Sequence, residues 1–493
     1  MPPPGITFPG DAGFNGRSDT NYHYAEFAPR VGFVWDITGK GTQTLRAGFG
    51  IFFDTTILWN TMHVVLNPPW GETLSFSPLS VAQGGGLANP WFGQVGGNPF
   101  PTPLNPPSAF VFPTGGTYIF EDQANKPSKT QQYNLSYQIQ LGRNTKFSAS
   151  YIGNTTDHIW LGISQNSSQY LSAYGTTLPC TLQYGAQNYT FPICNSPSQK
   201  NESVTVGGVT ATNVNARRAL TLLNPAIGPK LAGGLTTAFS NGNAAYNGLL
   251  VSVEQRMAHG FSVLTNYTWS HCMDVGEVGQ DIGNAHQDPS NPKGDWGNCG
   301  YNRKGIFNLS VVAQSPRFEQ RLLRGIVSNW TGSGIFTAST GSNFNLTDGY
   351  DFSLTGVGQD RPNIVGNWRQ GGTVAANPTC SAPAAVHTLR YWFNPCAFAP
   401  APFGSFGNER RNDLVGPANW NLNLALWRTF SLPETLKMDI RVEGFNVLNH
   451  AEIGNPTATL ETTTPALNAS AGIITSSASQ GPRIMQLAVK LNF

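Results

Sequence analysis

Apolar and polar residues alternate with a period of two along most of this chain, and helical spacing is almost absent. Val31, Phe33, Trp35 and Ile37 alternate with Arg30, Gly32, Val34 and Asp36. Leu45, Ala47, Phe49, Ile51 and Phe53 alternate with Thr44, Arg46, Gly48, Gly50 and Phe52. Tyr133, Leu135, Tyr137, Ile139 and Leu141 oppose Asn134, Ser136, Gln138 and Gln140, and Phe147, Ala149 and Tyr151 oppose Lys146, Ser148 and Ser150. Leu249, Val251 and Val253 oppose Ser252, Glu254 and Arg256. Phe261, Val263, Thr265, Tyr267 and Trp269 oppose Ser262, Asn266, Thr268 and Ser270. Weaker alternation covers 304–314 and 328–339. It is clear again at Leu422, Leu424 and Leu426, at Met438, Ile440 and Val442, and at Met485, Leu487, Val489, Leu491 and Phe493. The pattern predicts about eleven antiparallel strands.

The connections between these segments alternate short and long. Short turns are expected at 37–44, 141–145 and 257–261, with two longer ones at 316–324 and 431–436. Long connections fall at 55–129, 154–244, 272–303, 341–418 and 449–481. Structureless loops of that length argue against a compact soluble domain. An outer-membrane barrel has this asymmetry, with short turns in the periplasm and long loops outside. On that reading the five short turns face the periplasm.

Composition bears on what the two faces of each strand meet. Charged residues make up 11% of the chain, against roughly 25% in soluble domains. The polar positions hold mainly Asn, Ser, Thr, Gln and Gly, which suits a barrel lumen better than a surface in bulk water. The apolar positions, with Phe261 at one end of a strand and Tyr267 and Trp269 at the other, suit lipid with an aromatic girdle at each interface. An eleven-residue strand rises about 36 Å, and at a tilt of ~40° it spans roughly 28 Å, close to the apolar band of such barrels. A large secreted β-sandwich or propeller shares the periodicity but calls for a more charged surface. A formal net charge of +2 leaves no electrostatic footprint for nucleic acid. The expected fold class is all-β: an antiparallel transmembrane β-barrel with long extracellular loops, in contact with outer-membrane lipid.

Several dispersed strings carry a family resemblance. They are Ala28-Pro29-Arg30-Val31-Gly32-Phe33-Val34-Trp35-Asp36, Leu45-Arg46-Ala47-Gly48-Phe49-Gly50-Ile51-Phe52-Phe53-Asp54 and Asn266-Tyr267-Thr268-Trp269-Ser270. Further on come Trp392-Phe393-Asn394-Pro395-Cys396-Ala397-Phe398, Phe403-Gly404-Ser405-Phe406-Gly407-Asn408 and Glu443-Gly444-Phe445-Asn446-Val447-Leu448-Asn449-His450. Together they resemble the Oar-like TonB-dependent receptors common in Acidobacteria. The resemblance implies a 22-stranded barrel, a periplasmic plug, coupling to TonB through that plug, and ligand uptake. It also implies that Phe493 is the aromatic terminal signal read by the barrel-assembly machinery. The residues themselves show neither a plug nor a TonB box. The expectation is therefore a C-terminal barrel portion over 26–493, with 1–25 an extracellular-loop remnant or tail and the partner strands encoded upstream. The alternative is a structural or adhesion barrel without import activity.

Catalytic motifs are absent from the sequence: there is no His-Glu-x-x-His, Gly-x-Ser-x-Gly, phosphate loop or Cys-x-x-Cys. A secreted glycosidase would need paired carboxylates. Asp439 and Glu443 share a strand face but lie about 13 Å apart, beyond the roughly 5–9.5 Å such pairs use. Arg441 between them is placed to neutralise both. These three, with Arg46, Glu254 and Lys490, are read as lumen-facing charges, either lining a conduit or solvating the interior. Asp348, Asp351, Asp288 and Asp295 offer oxygen atoms but fit no calcium-loop spacing, so turn formation is the simpler reading. No metal or cofactor is expected, and no enzymatic activity. Loop aromatics Trp70, Trp91, Tyr391, Trp392 and Phe393 are candidate ligand contacts. Exposed rings stack on sugars, which suggests an oligosaccharide; packing of loop on loop is the competing use.

All six cysteines lie in the long connections or at their rims, two per connection. The expected disulfides are Cys180–Cys194, Cys272–Cys299 and Cys380–Cys396, because a barrel holds different loops at different parts of its rim. An oxidising periplasm lets them form.

Overall fold

The computed structural model describes residues 20–54, 118–168, 217–223, 235–276, 286–402, 404–431, 436–461, 467–477 and 481–492, with shorter pieces elsewhere. Eleven strands follow one another across a single antiparallel sheet: β1 (Arg30–Asp36), β2 (Gln43–Phe53), β3 (Lys129–Leu141), β4 (Thr145–Ser164), β5 (Leu235–Ala258), β6 (Phe261–Asp274), β7 (Gly305–Gln314), β8 (Trp330–Ser339), β9 (Asn419–Ser431), β10 (Lys437–Phe445) and β11 (Ile484–Asn492). Each strand pairs with its neighbours in chain order. The sheet is open in the described residues, since β1 and β11 each have a partner on one side only.

The register shows why the alternation was so regular. One row of cross-strand partners runs Trp35–Leu45–Tyr137–Ala149–Val251–Tyr267–Phe307–Ala338–Trp420. Another runs Gly334–Leu424–Gly444–Met485, and the next Gly332–Leu426–Val442–Leu487. Between these rows lies a polar one, Asp36–Thr44–Gln138–Ser148–Ser252–Asn266–Asn308–Thr337–Asn421. The sheet therefore has one apolar face from edge to edge, and large side chains on it stand open: Leu487 is 71% exposed and Trp269 61%. A soluble protein buries such a surface, whereas a barrel turns it to lipid. On the other face hydroxyls bond across strands, as Ser136 with Ser150 at 2.8 Å.

Four of the five expected short turns lie in the described residues, and the fifth falls between Ser431 and Lys437, which pair across it while 432–435 lie outside the described residues. Asp36 closes the first by accepting from the Gly41 N–H at 2.7 Å and from the Thr38 hydroxyl at 3.2 Å. Gly39 and Gly41 adopt positive φ there, a conformation open to residues without a Cβ. The turn between β7 and β8 carries a short helix, Arg321–Val327.

The long connection expected at 154–244 is shorter than that, because β4 continues to Ser164 and β5 starts at Leu235. Above the membrane band these strands no longer separate lipid from lumen. Ile159, Leu161 and Ile163 are buried together with Val275, against Phe239 and Trp296, so the sequence loses its clean two-residue period. On the same side of the sheet, the N-terminal segment docks through Asn21 N–H to Gln123 O (2.9 Å) and His23 Nε2 to Asn125 O (2.9 Å).

Neighbouring positions on β7 separate the two faces. Leu309→Arg, on the apolar face, is expected to destabilise the protein in lipid vesicles by about 2–4 kcal/mol. Ser310→Arg, facing the other way, should cost under about 1 kcal/mol. Urea unfolding of both variants in vesicles measures the difference.

Candidate functional site: the loop cap

The described residues of connections 340–418 and 446–483 fold into a cap beyond the long-loop ends of the strands. Its core is Phe344, Leu346, Trp368, Phe393, Ala397, Phe398, Leu414, Leu460 and Ala471, all buried. The string Trp392–Phe398 supplies its centre. Phe393 is completely buried and meets Phe398 edge-on, with ring centroids 5.8 Å apart. Asn394 Oδ1 accepts from the Cys396 N–H at 3.0 Å, which caps a turn of 3-10 helix that Pro395 begins. The Asn394 amide donates to Gln370 O and Gly372 O, both at 3.0 Å. The Trp392 indole donates to Val415 O at 2.8 Å and takes the His387 ring edge-on at 5.0 Å.

A second motif sets the exit from β10. Asn446 and Asn449 adopt left-handed φ values of 50°, which Asn tolerates better than most residues. Asn446 Oδ1 accepts from the His450 N–H (2.9 Å), its amide donates to His450 O (2.9 Å), and the His450 ring stacks on Trp420 at 3.9 Å.

Two disulfides brace this end of the protein. Cys272, near the end of β6, bonds to Cys299, with Cα atoms 5.5 Å apart. Cys380 bonds to Cys396 within the cap, Cα to Cα 5.6 Å. Both pairings match the sequence expectation. The third expected pair, Cys180 with Cys194, lies outside the described residues, as do Trp70 and Phe493; of Cys180 only its place in a short strand, Cys180–Tyr184, is described.

Buried charge links connection 275–304 to the cap. Arg361 donates to Asp295 Oδ1 through Nη2 (2.8 Å) and to Glu409 O through Nε (2.9 Å). His286 Nδ1 donates to Asp295 Oδ2 at 2.9 Å. Burial opposes ionisation of Asp295, but the bonds from His286 and Arg361 outweigh it and hold the carboxyl below its ordinary range. Arg411 forms an ion pair with Asp274 at the top of β6 and donates to Asp295 O at 3.0 Å. A chain of asparagines runs alongside: Asn302 Nδ2 to Asn343 Oδ1 (2.9 Å), Asn343 Nδ2 to Asn412 O (2.9 Å) and Asn412 Nδ2 to Asn298 O (2.8 Å).

Deeper in the cap two carboxyls face each other. Burial raises Asp348, as do Glu461 beside it and Asp360 and Glu409 nearby. Burial likewise raises Glu461. One proton must sit between these two, because like charges at contact cannot both form in a dry site. Burial pushes Asp360 up to about 6, although the Ser353 N–H donates to it at 2.6 Å. Asp351 is a turn former, accepting from Thr355 N–H (3.1 Å) and Gly356 N–H (3.0 Å). Asp288 accepts from Ser290 N–H at 2.9 Å in the same manner. Among the described residues no group of three or more His, Cys, Asp and Glu side chains is gathered to hold a metal.

The candidates read from the sequence thus separate. Phe393 and Trp392 pack inside the cap, so the exposed-aromatic reading does not describe them: Phe393 has no surface to offer a ligand. Tyr391 is half-buried beneath the Arg390 guanidinium, 5.7 Å from its ring centre. Trp91 is half-buried in a short described piece. The lumen-face charges stand on the polar side of the sheet. Glu254 pairs with its cross-strand neighbour Lys146 at 2.6 Å. The Arg441 ion pair goes to Glu443 at 2.5 Å, not to both carboxylates as the spacing had suggested. Asp439 instead accepts from the Thr429 hydroxyl (2.6 Å) and the Asn492 amide (3.2 Å), with Lys490 as its register partner. Arg46 is exposed on the same face. The sequence reading does not single out His286, Arg361, Glu409, Arg411 or Glu461, which come from four separate stretches of the chain and carry no shared motif.

Two outcomes check the cap. Peptide mapping without reductant should recover Cys272 linked to Cys299 and Cys380 to Cys396, with Cys180 linked to Cys194. Asp348→Asn should stabilise the cap at pH 8 by at least about 1–2 kcal/mol, since the amide donates to Glu461 without the proton that the native pair must take up there. The fold prefers the acid form of this pair, so native Asp348 costs nothing below the ordinary carboxylate range near pH 4 and costs more as pH rises. The advantage of the variant should therefore vanish toward pH 4, as read by hydrogen exchange of cap amides.

The fold resembles solved outer-membrane proteins at low sequence identity. The outer-membrane transporter YddB from Escherichia coli aligns over 94% of this chain and 40% of its own, with 10% identity and a TM-score of 0.44. The siderophore receptor PirA from Acinetobacter baumannii aligns over 94% and 40%, at 8% identity and a TM-score of 0.40. The ferripyoverdine receptor of Pseudomonas aeruginosa aligns over 94% and 32%, at 10% identity and a TM-score of 0.37. The chain thus spans less than half the length of each of these structures. No curated protein matched it. A family model described as the outer membrane beta barrel domain matches residues 2–486. An edge-to-edge apolar face over a polar one is the surface such a domain needs, and with the model covering nearly the whole chain, this protein belongs to the outer membrane beta-barrel domain family and resides in the outer membrane.

Proposed function

We propose that this chain forms the barrel wall and outer cap of a TonB-dependent receptor, a binding and transport protein rather than an enzyme. The observation that carries the reading is the cap. Loops with only short pieces of regular structure are held in one arrangement by a buried core, two disulfides and a charged hub. Such preorganisation lowers the ordering cost of capturing a ligand. The sequence strings shared with Oar-like receptors support the same assignment. In this reading further strands join β1 and β11 to complete a 22-stranded barrel, because an unpaired edge in hydrocarbon is costly. Coupling to TonB would run through a plug, and Phe493 would serve the barrel-assembly machinery. Residues 1–25 belong to the outer side and 26–493 to the barrel portion.

The ligand class has two candidates. Several of the similar structures are siderophore receptors, which favours a ferric chelate. Loop aromatics first suggested an oligosaccharide, but the burial of Phe393 and the packing of Trp392 leave fewer rings for sugar stacking. Lumen charges Arg46, Glu254, Asp439, Arg441, Glu443 and Lys490 would line the conduit. A structural or adhesion barrel without import is the second reading, favoured by how fully the cap aromatics are used in packing.

Cells producing the protein in the outer membrane, with and without TonB, distinguish the two. A panel of labelled ferric siderophores and oligosaccharides should yield one class that accumulates inside only when TonB is present. Surface binding equal in both strains, with no accumulation, would establish the adhesion reading instead.

A further inference from the structure

The helix Arg321–Val327, on the turn between β7 and β8, has an apolar face that the described protein leaves open at Leu322 and Ile326 and covers only in part at Leu323 and Val327. At 100° per residue, Leu322, Leu323, Ile326 and Val327 share one side, while Arg321, Arg324 and Gly325 share the other. Leu322 is 75% and Ile326 60% exposed, and no residue of the helix is buried. A solvated turn has no use for this pattern.

The helix is fixed to one particular side of the sheet. The Trp330 indole N–H donates to Ile326 O at 2.8 Å, and the Arg428 guanidinium donates to Gly325 O. Trp330 and Arg428 are cross-strand partners in the apolar row that continues to Ile440 and Val489. The Arg428 guanidinium also lies over the rings of Trp330 (5.5 Å) and Phe430 (4.9 Å). The helix C-terminus is thus bonded to side chains of the lipid-facing surface, and its own apolar side extends that surface at the short-turn rim. Arg317, Arg321 and Arg324 are exposed around it, against one carboxylate, Glu319.

We infer that this helix is an interfacial anchor. Its Leu322, Leu323, Ile326 and Val327 side lies among the upper acyl chains of the membrane leaflet on the short-turn side. Arg317, Arg321 and Arg324 pair with the phosphates of anionic phospholipid headgroups. Both the continuity with the lipid-facing rows and the charge favour a lipid surface over a protein partner. A helix too short to be stable alone is then held by the wall on one side and by lipid on the other.

The test uses the full chain in phosphatidylcholine vesicles with and without 30% phosphatidylglycerol. A phospholipid carrying a diazirine high on its acyl chain is photoactivated and adducts are mapped by mass spectrometry. Adducts are expected at Leu322–Val327 about as often as at wall positions Leu249 and Leu487, and about threefold more often with phosphatidylglycerol. Arg321→Ala with Arg324→Ala should abolish that threefold rise and leave wall labelling unchanged. Labelling of the helix no greater than at the exposed turn Gly142–Asn144, with the wall still labelled, overturns the anchor while the membrane-embedded wall stands. Protein-to-protein links from the helix in place of lipid adducts overturn it as well. Unlabelled helix and unlabelled wall together overturn both.

Discussion

Backbone hydrogen bonding in a medium without water is the constraint from which this architecture follows. In hydrocarbon each unpaired N–H or C=O costs several kcal/mol. Nine of the wall strands therefore have partners on both sides, and pairing in strict chain order keeps every crossing between neighbours at a turn or a loop. Once that ladder is fixed, side chains have two directions to point. A slip of one residue would exchange the faces throughout. The rows from Trp35 to Trp420 and from Asp36 to Asn421 show how completely the sequence respects that condition. Its low charge follows as well: Lys and Glu are of little use on a wall with lipid behind it.

That same constraint decides what could be read from the residues. Where a strand separates lipid from lumen, period two is enforced and β1, β2, β3, β6, β9, β10 and β11 stand out almost residue by residue. Where β4 and β5 rise past the membrane, Ile159, Leu161 and Ala238 are buried and the requirement lapses, so their upper halves were invisible to alternation. The cap was less legible still. Leu346, Leu414 and Leu460 meet in one core from positions more than a hundred residues apart at the extremes, and no local pattern announces that. The cysteine pairing was readable for a different reason. Covalent closure inside one loop depends on chain connectivity, which the sequence displays directly. The strings Trp392–Phe398 and Glu443–His450 are legible as motifs, but not their use. Their use is structural, one to centre a core and cap a turn, the other to bend the chain out of β10 through two left-handed asparagines.

Charge is distributed against the usual rule for soluble proteins. The charges are few, yet Asp274, Asp295, Asp348, Asp360, Arg361, Glu409 and Glu461 are all buried in the cap or where it meets the wall. Buried ion pairs seldom add net stability compared with apolar packing, but breaking one is expensive. Their value here is in direction. An apolar core lets loops slide, whereas Arg361 reaches Asp295 and Glu409 in only one arrangement. The hub and the asparagine chain therefore specify how connection 275–304 meets connection 340–418, while Phe393 and its neighbours supply cohesion.

The two described disulfides divide labour in the same way. Cys272–Cys299 ties the far end of connection 275–304 back to the top of β6, where Arg411 of the cap also grips Asp274, so it fixes to the wall the connection on which the cap's Arg361 rests. Cys380–Cys396 closes a segment inside the cap next to Phe393 and Ala397, so it limits motion within. In the chain-entropy view each closure of 16 to 27 residues removes roughly 3 kcal/mol of unfolded-state freedom. In the receptor proposed above, motion that admits a ligand would occur between these fixed points, in parts of the loops that neither the core, the hub nor a disulfide holds. A cap built this way keeps a rigid outer frame and leaves adaptation to its edges. On the receptor reading, side chains that touch a ligand are to be sought beside the packed motifs, at half-exposed positions such as Tyr391, and not among the aromatics that the motifs contain.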